Sequence, residues 1–392
     1  MTPQWCAFAC LERYNFAFYS FLGYAAVSHD LYLIDSHKMI YHPEKAARVL
    51  AVNKAWERAR TIYPIYMEIA PIGACNHRCV FCAVDYIGYQ TVRLDYDLLA
   101  KRIPEIGRLG VKSIMYAGEG EPLLHKEMAK IVTMTKAAGM DVSITTNATV
   151  MPPGFIEQAL PDLSWLKVSI NAGTAATYAA LHRTKENDFD KAVANMAAMV
   201  QQKRTHGLGC TLGAQILLLE ENYDEIETLA KICRDDIGLD YLVVKPYSQH
   251  LFSNTQRYKT FDYQNFISYG ESLAHWSTEK FSLIFRGHTM KKFTAEDRYR
   301  CCYSVPFLWG FIMANGTVSG CSTFLLDKRF EYGNIHDNTF QEIWEGEGRR
   351  KGFEFVTNEL DISECRINCR MDEINRYLHK IDTQSVPHIN FI

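Results

Sequence analysis

The sequence predicts an α/β fold built on a parallel sheet, on three grounds. From residue 63, short runs rich in β-branched and aromatic residues, bounded by Gly, Pro or Asn, alternate with helical stretches. The alternation repeats six times, and sequential parallel strands need a right-handed crossover of this kind. The most distinctive polar and Gly-rich motifs follow predicted strands, where the loops of such sheets carry chemistry. The pattern leaves open whether the sheet is open or closed.

Strands are expected at 63–71, 113–118, 141–147, 165–171, 212–219 and 241–247. Helical periodicity covers 94–108, 126–138, 188–203 and 222–234. Residues 63–254 therefore form the core, 255–300 a bridge, and 301–392 a second unit bearing cysteines and a C-terminal helix. Residues 1–62 read as an apolar, helical extension. Its runs at 5–11 and 16–27 are interrupted by Glu12, Arg13 and Asp30, and the uncharged stretch 14–28 is shorter than the roughly 18–20 residues a spanning helix needs. It lacks a basic leader region and a clear cleavage site. A packed arm, or an oligomer interface, is expected rather than a membrane span. Cys6 and Cys10, four apart, are expected to be buried structural thiols.

With 392 residues, 48% of them hydrophobic, the chain can fill two or three packed units. A net charge of −3 without a long basic run gives no reason to expect nucleic-acid binding. Twelve cysteines suit a disulfide scaffold only in a short secreted chain. In a long chain, with seven of them in groups, they point to a reducing, cytoplasmic setting.

The first group is Cys75, Cys79 and Cys82, spaced C-x3-C-x2-C just after the first strand. Thiolates are the soft ligands of iron–sulfur clusters, and three of them leave one iron of a cubane open. Phe81, before the last cysteine, is placed to cover the cluster edge. A zinc site is the alternative. The run resembles the cluster loop of the radical S-adenosylmethionine (SAM) superfamily. That resemblance implies a partial (β/α)6 barrel and a [4Fe–4S] cluster whose open iron is chelated by SAM. It also implies reductive cleavage of SAM to a 5′-deoxyadenosyl radical that takes a hydrogen atom from substrate.

Further motifs extend the resemblance. Gly118, Glu119, Gly120 and Glu121, followed by Pro122, resemble the family's GGEP segment at the SAM amino group, with Glu119 in place of the second glycine. Glycines there let main-chain groups approach a ligand closely. Asn147 ends a segment like the family's TNG. Ser169 and Asn171 resemble an S-x-D-G stretch near the SAM ribose and carboxylate, with Asn replacing Asp. Arg183 is expected to pair with the SAM carboxylate through its planar fork, whereas His182 reads as structural. Lys245, Tyr247 and His250 end the sixth strand at the expected barrel mouth, as candidates to bind substrate or move a proton.

Cys302, Gly316 and Cys321 match the C-x9-15-G-x4-C opening of SPASM and twitch domains. Gly333, Asn334 and Ile335, then Phe340 to Trp344, resemble their GN-I…F-x-x-I-W segment, and Cys365 and Cys369 close the set. Four thiolates fully ligate one auxiliary iron–sulfur cluster, [4Fe–4S] by expectation; a zinc ribbon is the alternative. No cysteine follows Cys369, so a twitch-like unit with one cluster is expected rather than a full two-cluster SPASM domain. Cys302 is preferred to Cys301 because the run from Cys302 through Pro306 to Phe307 resembles the family's C-x3-P-aromatic pattern. Cys301 is left as buried padding or a hydrogen-atom donor.

A fully ligated second cluster implies an electron acceptor. The leading expectation is thus an oxidoreductase that dehydrogenates a polyhydroxylated small molecule such as a sugar or cyclitol, as a twitch-type relative does, drawing electrons from a flavodoxin or ferredoxin. A sugar epimerase using Cys301 or Cys210, a peptide-modifying maturase and a non-catalytic electron carrier remain the alternatives.

Overall fold

A computed structural model describes residues 30–295, 298–305, 307–384 and 387–391. The apolar runs at 5–11 and 16–27, with Cys6 and Cys10, lie outside the described residues, as does Pro306.

Ten strands form one sheet: β1 (Tyr66–Ile69), β2 (Ser113–Tyr116), β3 (Asp141–Thr146), β4 (Trp165–Ser169), β5 (Thr211–Leu218), β6 (Tyr241–Pro246), β7 (Ser282–Phe285), β8 (Trp309–Ile312), β9 (Thr317–Ser319) and β10 (Glu331–Asn334). Their order is β10-β9-β8-β1-β2-β3-β4-β5-β6-β7. β1 to β7 run parallel in sequence order, so all six expected strands are present.

Two departures matter for the site. The expected bridge contains β7, a seventh parallel strand on β6, together with the helix Gly287–Lys291. The helices before β7 are short, so the β-α rhythm that betrayed the other strands is lost there. The cysteine-bearing unit is also joined to the core through the same sheet. β8 pairs with β1 in parallel, and β9 and β10 follow antiparallel.

Side chains alternate across the strands. One parity, including Ile114, Tyr116, Ile144, Leu166, Val168, Ile216 and Val244, packs under the helices in the main core. The other parity faces inward. Tyr66, Met115, Lys167, Leu217 and Lys245, from five strands, line a single cavity of about 550 Å³. A sheet whose inner face surrounds one cavity is curled, and the fold is a partial barrel.

The described part of the N-terminal extension is a packed arm. Helices Pro43–Leu50 and Trp56–Ala59 bury Val49 and Ala59 in a cluster with Phe353 and Leu378 of the C-terminal helices. Arg349 locks the joint. It is fully buried, its guanidinium lies 4.5 Å from the Trp344 ring, and it donates to the carbonyls of Ala59, Ile62 and Trp344 at 3.0, 3.1 and 2.6 Å. Among the described residues no helix is long and apolar enough to cross a membrane.

Candidate functional site

The loop after β1 carries the first cysteine group. It is tethered by main-chain bonds from Arg78 N to His182 O (3.1 Å) and from Val80 N to Leu181 O (2.9 Å). His77 N points at Cys75 Sγ (3.5 Å), and His182 Nδ1 lies 3.2 Å from Cys79 Sγ. Burial raises all three thiols, Cys75 to about 12, and Cys75 and Cys82 each raise Cys79 further. Three partly buried thiols close enough for Cys75 and Cys82 to act on Cys79 form a site that a cation would convert to thiolates. They fit a cluster with one open iron. Phe81 meets His182 edge-on at 5.2 Å and lines the cavity.

The donors of His77, Cys79 and His182 lie within 4.8 Å of one another. His182 Nε2 donates to Ile170 O (3.0 Å), so this ring is spent on positioning the loop. Burial and His77 lower its pKa to about 3. His182 is structural, as the sequence suggested.

The glycines of the Gly118–Gly120 segment are demanded by space. A Cβ on Gly120 would stand 2.2 Å from Ile72 O and 2.5 Å from Ala74 O, against the chain that leads into Cys75. Gly118 has φ +130°, and a Cβ there would meet Phe311. The carboxylates do something else. Glu119 accepts from Ala314 N (2.6 Å), in the turn between β8 and β9, so it joins barrel to hairpin. Glu121 accepts from Leu123 N, Thr146 Oγ1 and Asn147 N at 3.0, 2.5 and 2.8 Å, binding the ends of β2 and β3 together.

Three other residues expected to contact SAM also have partners within the fold. The Asn147 side chain donates to Asn76 Oδ1 (2.8 Å) and accepts from Thr149, latching the cluster loop to β3. Asn171 is fully buried at φ +53°, and its Oδ1 accepts from Leu217 N (2.9 Å). An inward-facing amide tied to β5 has little left for a ligand. Ser169 Oγ accepts from Gln215 Nε2 (2.8 Å). Arg183 is exposed at the end of helix Ala175–His182, with φ +50°.

The second group converges. Cys302, Cys321, Cys365 and Cys369 ring an apolar hole of about 30 Å³ together with Val305, Phe324 and Phe330. Burial raises each thiol, Cys321 and Cys365 to about 12, and neighbouring thiols of the group raise Cys302, Cys321 and Cys365 further. Four soft donors around a dry hole fit one fully ligated cluster. Cys301 is the exception. It is exposed, beside Tyr303, and lines neither cavity. The buried-padding and hydrogen-donor readings both fail on this placement. Cys210 is buried just before β5 and lines neither cavity.

Between the two groups lies the large cavity. Phe81 of the first cysteine loop and Cys369 of the second group are both on its wall, as are Lys245 and Tyr247. Burial and the nearby Lys167, Arg286, Arg370 and Arg366 hold Lys245 well below the usual lysine range. His250 is absent from the wall. It is buried, stacked on Tyr86 at 5.3 Å, with Nε2 3.3 Å from Ser322 O. The sequence reading missed Lys167, Arg286, Lys292, Arg366 and Arg370, all on the wall. A charged residue at inward parity in a buried strand, as at Lys167, was the available signal.

Comparison with known proteins places this geometry in a class, that of SAM-dependent iron–sulfur enzymes. The radical SAM superfamily matches residues 69–233, and the SPASM iron–sulfur cluster-binding domain matches residues 301–370. The chain belongs to the radical SAM superfamily and carries a C-terminal SPASM domain. Its family cofactors are a [4Fe–4S] cluster with SAM, and auxiliary iron–sulfur chemistry in the SPASM domain. It is 27% identical over 232 residues to a GTP 3′,8-cyclase of Chlorobaculum tepidum, covering 57% of this chain and 68% of that protein. It is 22% identical over 318 residues to the tungsten-containing aldehyde ferredoxin oxidoreductase cofactor-modifying protein of Pyrococcus furiosus, covering 77% and 85%. Among solved structures, Streptococcus suis SuiB bound to SAM superposes with TM-score 0.60 at 16% identity, covering 86% of this chain and 78% of that one.

Proposed function

We propose that this radical SAM enzyme is an oxidoreductase that dehydrogenates a polyhydroxylated small molecule held in the cavity between its two cysteine groups. The observation that carries the reading is that one cavity has both Phe81 and Cys369 on its wall. Cys75, Cys79 and Cys82 are assigned to the SAM-binding cluster. Cys302, Cys321, Cys365 and Cys369 are assigned to the auxiliary one. When bound, the first cluster with SAM supplies hydrogen-atom abstraction, and the second supplies an electron acceptor.

The chain's own residues do the rest. Lys245, whose pKa is pushed down by burial and by the neighbouring Lys167, Arg286, Arg370 and Arg366, takes the proton from the substrate. The substrate thus loses a hydrogen atom, a proton and an electron, and leaves two hydrogens lighter. Tyr247, on the same wall, packs edge-on against Tyr258 at 5.4 Å. Arg183 remains assigned to the SAM carboxylate, and its exposed guanidinium is free of other ion pairs among the described residues. A reducing, cytoplasmic setting and a flavodoxin or ferredoxin donor complete the proposal. An epimerase needs a hydrogen-donating thiol at the cavity, and neither Cys301 nor Cys210 lines it.

The test is a turnover in deuterated buffer, with products analysed by mass. A product two hydrogens lighter, without solvent deuterium, supports the oxidation. A product of unchanged composition that has taken up deuterium contradicts it.

A further inference from the structure

The cavity carries more positive charge than the protein's own acids offset. Besides the proton acceptor Lys245, the cations Lys167, Arg286, Lys292, Arg366 and Arg370 line it, and Glu373 is the only carboxylate among its described lining residues. Some of these cations are paired. Arg370 is held by Glu68, Arg286 Nε lies 3.5 Å from Asp35, and Lys292 contacts Asp372 and Glu373. Lys167 and Arg366 have no ion pair among the described residues. Arg366 donates from Nη1 to Ser248 O (3.3 Å), while its buried Nε has no hydrogen-bond partner.

Unpaired charges in a protein interior are costly, and they persist where a counter-ion is part of the working state. One candidate counter-ion is the auxiliary cluster itself. That explanation reaches Arg366, which neighbours Cys365, but not Lys167. Lys167 comes from β4, and the charges acting on it are those of Arg370, Arg286 and Glu68, none of them a thiol. A neutral polyol leaves this excess unanswered. A monocarboxylate answers one cation. A phosphate offers two negative charges and several acceptor oxygens in one compact group, and guanidinium forks match that geometry. A cavity of about 550 Å³ is the size of a small-molecule site and too small for a folded partner.

We infer that the substrate is a phosphorylated small molecule, its phosphate held between Lys167 on β4 and Arg366 beside Cys365, with Arg286 and Arg370 nearby. This rests on the proposed function and adds the substrate's charge class. Lys245 keeps its role as proton acceptor in the same cavity.

The test is calorimetric titration of the anaerobically reconstituted protein with inorganic pyrophosphate, with cluster absorbance followed to show that the iron stays bound. Neutral myo-inositol and polyglutamate are titrated in parallel. Pyrophosphate is expected to bind and myo-inositol not to. Lys167→Met and Arg366→Met are each expected to weaken pyrophosphate by at least about tenfold. Lys167→Met should melt no lower than the parent, because it removes a half-buried charge that has no ion pair among the described residues. Iron content reports whether Arg366→Met has disturbed the neighbouring cysteines. Pyrophosphate binding that is absent, or equal in parent and Lys167→Met, overturns the inference. So does tighter binding of polyglutamate, which would assign the site to an acidic peptide. Reductive SAM cleavage measured without pyrophosphate separates the two layers. Cleavage with no pyrophosphate binding sinks the charge class alone. Pyrophosphate binding that Lys167→Met abolishes, with no cleavage, supports the anion site and sinks the radical reading.

Discussion

Glu68 on β1 grips Arg370, the residue after Cys369, with Nε 2.6 Å from Oε1 and Nη2 2.9 Å from Oε2. The same carboxylate accepts from Tyr66 Oη (2.7 Å) and from Trp309 Nε1 on β8 (3.3 Å). One buried acid therefore ties the barrel, the appended hairpin and the segment of the last cysteine together.

Glu68→Gln loosens that joint and frees Arg370 toward the cavity. It is expected to cost about 1–3 kcal/mol of stability, since a buried charge-assisted network loses its negative charge and one of its two acceptor oxygens. It should also tighten pyrophosphate by several-fold. Denaturant unfolding and calorimetry read the two effects, which run in opposite directions.

The two cysteine groups divide their labour. Cys75→Ala, Cys79→Ala and Cys82→Ala are expected to abolish reductive SAM cleavage. Cys365→Ala should lower total iron while sparing part of that cleavage. Equal loss in both sets, with folding intact, contradicts the assignment.

Cys301→Ser is expected to leave iron content and SAM cleavage unchanged, because the thiol is exposed and lines neither cavity. Iron analysis and 5′-deoxyadenosine yield check this.

Lys167 gives the site a pH dependence. Burial, then Arg370 and Arg286, lower its pKa to about 7, against the opposing pull of Glu68. The unfolded chain holds this proton until about pH 10.5. Between about 7 and 10.5 the unfolded state binds more protons, so this residue's contribution to stability rises with pH there. Pyrophosphate needs the protonated amine, so its affinity should fall as pH rises through about 7. Melting curves of the parent relative to Lys167→Met, and calorimetry from pH 6 to 9, should show these opposite slopes.

Much of the chemistry was legible from spacing. The Cys75–Cys82 loop, the Gly118–Gly120 turn and the Cys302–Cys369 set are local patterns whose residue types follow from ligand chemistry or backbone room. What the sequence hid is long-range. Nothing local marks Arg286, Arg366 and Lys167 as neighbours, since they come from the end of β7, the segment after Cys365 and the middle of β4. A net charge of −3 conceals a cationic interior. Asn147, Asn171 and Glu119 are expected to be ligand contacts because they stand in segments that resemble family motifs. The fold uses them as latches, a role visible only once their partners Asn76, Leu217 and Ala314 are in place.

The most direct measurement is anaerobic reconstitution followed by reaction with SAM and dithionite, with 5′-deoxyadenosine, iron and sulfide quantified together. The account predicts deoxyadenosine and about eight irons per chain, four for each of two cubane clusters. Zinc without iron, or full iron with no deoxyadenosine in the presence of substrate, would contradict it.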